Sequence, residues 1–296
     1  MINKFLDYLS YEKRYSQHTI KAYENDLREF YDYAEVIQNE KNPLKLNFQQ
    51  LRYYLVFLQD QKYSNRTVNR KLSSIKRFYK YLLSIDEISD NPTAKLTSLK
   101  YENKVLVPFS KDEMTALLDK IYFEDDFEGV RDKLIINVFY NTGIRLSELI
   151  GLQISKIDHS NSQIKVLGKR NKERIIPLSN NLMSDVEAYL KLRNDLQYVE
   201  KEDVFFLTKN GKQIYPSLVY GKINSYLSEV TKKVKKSPHM IRHTFATHMM
   251  DAGADLNSIK ELLGHTSLVA TQVYTHSSLG KLKSIVNHAH PRAKKK

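Results

Sequence analysis

Hydrophobic residues recur every three to four positions along most of the chain, the repeat of a helix that buries one face. Ile20, Tyr23, Leu27, Phe30, Tyr31 and Ala34 form one such stripe, with Ser16 placed to cap its start in YSQHTIKAYENDL. A second runs through Val68, Leu72, Ile75, Phe78, Tyr79 and Leu82 behind a capping Ser64, and FQQLRYYLVFLQ supplies a third helix between them. The first part of the chain therefore reads as a small helical bundle.

The pattern breaks at SIDEISDNPTAKLTSLKYENKVLVPFS, where an acidic turn, Asp90-Asn91-Pro92 and a basic run without periodicity separate two patterned regions. We place one domain at residues 1–97, a linker at 98–107 and a second domain at 108–296. The second opens on FSKDEMTALL, where Ser110 and Glu113 match a capping box. KLIINVFYNTGIRLSELIGL reads as a buried helix, a Thr-Gly turn and a short helix. SQIKVLGKRNKERIIPLS changes period: Ile164 to Leu167 and Arg174 to Leu178 are β-rich runs around a polar turn, a hairpin. After Ser179 the pattern is helical again, apart from the short DVFFLT. The expected fold is mainly α in two domains: a four-helix-type bundle, then an α-rich domain with a small antiparallel β-sheet.

A length of 296 residues suits two domains better than one core. No window is apolar enough for a membrane span, and MINKFLDYLSYEK interrupts its apolar positions with charges, unlike a secretory signal. A cytoplasmic protein is expected. The absence of cysteine excludes disulfides, thiolate zinc sites and a cysteine nucleophile. A formal charge of +13 favours a polyanionic partner, nucleic acid first, although a basic surface kept for solubility gives the same count. On the helix after Ser64, Arg66, Arg70, Lys76, Arg77 and Lys80 fall away from the apolar stripe. They form either a face for a DNA groove or a solvated charged face.

The densest chemistry lies in SPHMIRHTFATHMM. Ser237 fits a helix cap and Pro238 the first helical position, which puts His239 in a first turn whose free amides favour anions. His239, Arg242 and His243 share a face that suits a phosphate, while His248 points the other way. A zinc site on His239 and His243 competes, but no glutamate follows the first histidine and no cysteine can complete it. A satisfied core role suits His243. Elsewhere Arg145 stands just past a glycine turn in NTGIRLSEL, His265 follows a helix-ending glycine, and Tyr274 comes nine residues later.

In chain order, Thr142-Gly143-Ile144-Arg145, the hairpin LGKRNKER with Lys169, His-Met-Ile-Arg at 239–242, Leu-Leu-Gly-His at 262–265 and Tyr274 in VATQVYTH resemble the active-site signature of the tyrosine recombinases of the Xer type. The likeness extends from FLDYLSYEKRYSQHTIKAYENDLREF to HPRA, with Ile241 where leucine is frequent and Arg170 where the hairpin often has glycine. It implies a SAM-like core-binding domain, a catalytic domain, and DNA strand exchange through a covalent 3′-phosphotyrosine. Arg145 and Arg242 are then matched to the non-bridging phosphate oxygens, a task suited to guanidinium forks. His239 is matched to the base or proton relay beside the nucleophile Tyr274, His265 to a further phosphoryl donor, and Lys169 to the acid for the leaving 5′-oxygen. Lys172 lies close to Lys169 and reads as a phosphate contact or a solvated charge. Glu148, on the helix of Arg145, either orients it or makes a surface ion pair.

No cofactor is implied, because a phosphotyrosyl bond keeps the energy of the broken phosphodiester. The chain also shows no GxxxxGK[ST] loop and no clustered carboxylates for paired magnesium ions. The implied partners are a double-stranded recombination site, a tetramer with itself or a Xer-like paralogue, and a DNA translocase of the FtsK type, in chromosome-dimer resolution at cell division. An invertase or mobile-element integrase would use the same chemistry. A non-catalytic DNA-binding protein would form no covalent intermediate, and a type IB topoisomerase fits the N-terminal region poorly. The run SLGKLKSIVNHAH either packs on its own domain or docks on a neighbouring subunit.

Overall fold

Most of the described helices begin where a side-chain oxygen takes one of the first free amides. The computed structural model describes residues 1–40, 42–102, 106–168 and 173–264. Its contacts divide into two compact units between Val105 and Leu106. After α1 (Ile2–Asp7), Ser16 caps α2 (Gln17–Val36), Asn47 and Gln50 form a reciprocal capping box on α3 (Phe48–Asp60), and Ser64 caps α4 (Asn65–Ser84). Leu27, Phe30, Tyr54, Leu58, Val68 and Phe78 are fully buried where these helices meet.

Polar contacts finish the first unit. Buried Asp26 accepts hydrogen bonds from Arg70 at 2.5 Å and Ser74 at 2.7 Å, and lies 3.5 Å from Lys71, which also reaches Glu29 at 2.6 Å. The residues just before the second unit are tied down as well. Asn69 exchanges hydrogen bonds with the backbone of Leu99 at 2.7 and 2.8 Å, and Asn65 donates to Lys100 O at 2.8 Å. Two asparagines on α4 thus hold the first residues of the stretch placed as a linker at 98–107.

In the second unit Ser110 and Glu113 make the capping box of α5 (Lys111–Thr115). Next comes α6 (Phe127–Thr142), buried on nearly every side, which is why KLIINVFYNT runs apolar without a polar face. It ends at Gly143, whose φ of +58° is left-handed; a Cβ there would lie 2.5 Å from Phe245 and 2.7 Å from Leu263. Then follow α7 (Leu146–Ile150) and an antiparallel sheet of β1 (Ile157–Asp158), β2 (Gln163–Leu167) and β3 (Glu173–Pro177), in that order. The expected hairpin is β2–β3, with Ile164 opposite Ile176 and Val166 opposite Arg174. The two residues of β1 are too few to show a period in sequence. The unit is completed by α8 (Asn180–Asn194), α9 (Pro216–Val230), α10 (Pro238–Asp251) and α11 (Leu256–Leu263), and α6 packs against α8, α9 and α10. Phe205 and Phe206 of DVFFLT are fully buried. The fold is thus mainly helical with one small antiparallel sheet, as expected.

Gly143→Ala combines a left-handed backbone with overlap in a packed interior, and should cost about 2 kcal/mol or more. Denaturant melting checks this, and an unchanged midpoint would show that Phe245 and Leu263 give way freely.

Candidate active site

The last carbonyls of a helix have no partner within it. Two helices, α6 and α11, end close to each other on left-handed glycines, Gly143 and Gly264, and three arginines take their free carbonyls. Arg242 of α10 donates to Gly143 O and, at 2.7 Å, to Leu263 O. Arg174 of β3 donates Nε–H to Leu262 O at 2.8 Å, and Arg145, at the start of α7, donates to Gly264 O at 2.9 Å.

Glu148 lies between two of these guanidinium groups. Its Oε1 accepts from Arg145 Nη1 at 2.8 Å and Arg174 Nη1 at 2.7 Å; its Oε2 accepts from Arg174 Nη2 at 2.8 Å and the Arg145 backbone amide at 2.7 Å. With only 5% of its surface exposed, it makes no surface ion pair, so of its two readings the orienting one stands. Burial pushes the carboxyl pKa up, but the hydrogen bonds and charge of Arg174, then the hydrogen bonds from Arg145, outweigh this and hold it at about 2.

Arg242 is buried. Desolvation first, then the charges of Arg145 and Arg174, bring its pKa down to about 10, so it stays cationic at neutral pH. Ser237 caps α10 and Pro238 takes its first position, as the sequence predicts, leaving His239 exposed on the first turn. Partial desolvation, followed by the positive Arg242 and by His243, lowers the His239 pKa below 6.5. Its neutral form, the one able to accept a proton, therefore prevails at neutral pH. His243 faces Leu106 O at 3.2 Å, a satisfied packing role, and His248, on the far side of α10, is buried with Nδ1 2.9 Å from the Tyr140 hydroxyl.

The structure thus brings Arg145 and Arg242 together on neighbouring carbonyls. Lys169, Lys172, His265 and Tyr274 lie outside the described residues. Of the basic face on α4, Arg66 and Lys80 are exposed, Arg70 is also exposed but paired with Asp26, Lys76 donates to Leu96 O, and Arg77 reaches the Tyr15 hydroxyl at 3.4 Å. No group of three metal-ligating side chains occurs among the described residues. Arg174 is the participant that the sequence reading missed. A signal for it existed: alternation along β3 puts Arg174 on the same buried phase as Ile176, and a charge on the inner face of a strand calls for a buried partner.

Comparison with known proteins adds the following. The model of the phage integrase family matches residues 108–280, and that of the phage integrase N-terminal SAM-like domain matches residues 2–85. The chain is 38% identical over 292 residues to tyrosine recombinase XerC of Staphylococcus carnosus, covering 98% of this chain and 97% of that one. It is 37% identical over 291 residues to tyrosine recombinase XerC of Staphylococcus haemolyticus, with coverage of 98% and 97%. Among solved structures, XerH site-specific recombinase bound to palindromic difH substrate in a post-cleavage complex aligns with a TM-score of 0.73 at 20% identity, over 98% of this chain and 81% of that one. The Tn1549 transposon integrase in complex with circular intermediate DNA aligns at 0.70 and 19% identity, over 95% and 98%. At such identities the structural likeness speaks for the fold.

Because the folded pKa of Glu148 lies near 2, below its ordinary 4.5, the stability from its charge is whole above pH 4.5 and is lost as pH falls toward 2. That contribution is on the order of 3 kcal/mol. Glu148→Gln should forfeit it at pH 7 and flatten the acid limb of a melting-temperature profile; wild-type melting at pH 7 would contradict the assignment. For His239, an NMR titration should give a midpoint below 6.5 that rises in Arg242→Gln, since the repelling charge is gone.

Proposed function

This chain belongs to the phage integrase family of tyrosine recombinases, and we propose from its site that it breaks and rejoins DNA at a specific sequence through a 3′-phosphotyrosyl intermediate, in resolving chromosome dimers at cell division. One observation carries the reading. Arg242 and Arg145 are held on the successive carbonyls of Leu263 and Gly264, at 2.7 and 2.9 Å, at the chain position immediately before His265.

Attack on a phosphodiester gathers negative charge on its non-bridging oxygens. A guanidinium offers five N–H donors. Backbone and carboxylate partners use two on Arg145 and two on Arg242, which fixes the forks and leaves donors for a phosphate. In the proposed reaction the Tyr274 hydroxyl attacks phosphorus, and neutral His239 accepts or relays its proton. The bond from phosphorus to the 5′-oxygen breaks as Lys169 protonates that oxygen, while His265 donates to the phosphoryl group. A new 5′-hydroxyl attacking the phosphotyrosine reverses these steps and exchanges strands.

The reading extends to a double-stranded recombination site, a tetramer formed with itself or a Xer-like paralogue, and activation by a DNA translocase of the FtsK type. None of the described helices is long and apolar enough to cross a membrane. The proposed location is the cytoplasm, with the chromosome.

The test is a nicked duplex carrying a candidate site, incubated without metal or nucleotide with the wild type and with Tyr274→Phe. Wild type should leave an SDS-resistant adduct on the 3′ side of the break, and Tyr274→Phe none, although both retard the DNA. Retardation without an adduct on every site tried, with candidate partner proteins added, would point instead to a DNA-binding protein without strand transfer.

A further inference from the structure

Arg174 has no part in the reaction as set out above, yet its surroundings are the most constrained of the site. It is 4% exposed on β3, and all three guanidinium nitrogens are engaged: Nη1 and Nη2 on the two oxygens of Glu148 at 2.7 and 2.8 Å, and Nε on Leu262 O at 2.8 Å. Each oxygen of Glu148 is shared with Arg145, one with its side chain and one with its backbone amide. Leu262 directly precedes Leu263 and Gly264, whose carbonyls orient Arg242 and Arg145. Gly264 packs so closely that a Cβ there would come within 3.1 Å of Arg174 Nη1. If stability alone were at stake, an apolar pair of similar volume would serve as well, since burying two charges costs about as much as their attraction returns. A planar fork holding a carboxylate by both oxygens and a helix end by its third nitrogen adds direction rather than stability.

We propose that Arg174 is a positioning residue for strand cleavage, which locks the Glu148 carboxylate and the last turn of α11 into one unit, so that Arg145 and Arg242 meet the scissile phosphate in a fixed register. It also makes β3 part of that unit, the strand that begins four residues after Lys169 in the sequence. The inference rests on the recombinase reading.

Two variants test it. Arg174→Lys keeps the charge and loses the fork; the double variant Glu148→Gln with Arg174→Met removes both charges without leaving one buried alone. Cleavage is measured at saturating DNA on a nicked duplex, with either a normal scissile phosphate or a methylphosphonate, in which a methyl group replaces one charged oxygen. Misaligned arginines should slow phosphodiester cleavage by about 10- to 100-fold in both variants, with DNA affinity within about 3-fold. The deficit should shrink to below about 3-fold on the methylphosphonate, which has less charge to stabilise. Equal deficits on the two substrates would assign Arg174 a merely structural role and overturn the proposal, as would wild-type rates in the folded double variant. Failure of the wild type itself to form an adduct would count against the recombinase reading instead.

Discussion

The guanidinium groups of Arg145, Arg174 and Arg242 converge where two helices end, and their repulsion must be offset for the second unit to hold its shape. Glu148 sets one negative charge against three positive ones, and the carbonyls of Gly143, Leu262, Leu263 and Gly264 supply the remaining acceptors. The balance is incomplete in electrostatic terms: burial first, and then the neighbouring charges of Arg145 and Arg174 beyond what Glu148 compensates, lower the pKa of Arg242. A site with surplus positive charge on hydrogen-bonded guanidinium groups is poised for an anion. Under the proposed reaction that anion is a phosphodiester, whose oxygens gain charge as the nucleophile approaches, so the surplus is offset most fully in the transition state.

Helix ends make this arrangement possible. A carbonyl inside a helix is already spoken for, whereas one at a terminus must find a donor from outside. Ending α6 and α11 on left-handed glycines turns the chain sharply and leaves such carbonyls facing the arginines. The partial negative charge at the two helix C-termini also favours cations there. The architecture thus stabilises the arginines with neutral dipoles, which unlike further carboxylates do not cancel the charge needed for a phosphate.

The helices were legible in sequence because their signals are local. Apolar stripes, the caps at Ser16, Ser64, Ser110 and Ser237, and the change of period at β2–β3 each lie within a few residues of what they predict. Arg145, His239 and Arg242 are candidates in the sequence because ordered motifs mark them. Partnership across the fold was not legible in the same way. That Arg174 meets Glu148, Lys71 meets Asp26, and Asn69 holds Leu99 depends on how elements pack, and spacing along the chain carries no such information. For Arg174 the phase of the strand hinted at burial, but only the tertiary structure named the partner.

The same distinction changes what the net charge of +13 means. A basic residue is available to phosphate only as far as its own fold leaves it unpaired. In the first unit, Asp26 and Glu29 take up Lys71, and Asp26 also pairs with Arg70, so α4 offers fewer free cations than its sequence suggests. In the second unit Arg145 also has a carboxylate partner, but one drawn at the same time onto Arg174 by both oxygens. Because Glu148 is shared, Arg145 is oriented without being neutralised. A private ion pair would have given order at the expense of charge, and exposure to solvent would have given charge without order; the buried carboxylate between two arginines supplies both.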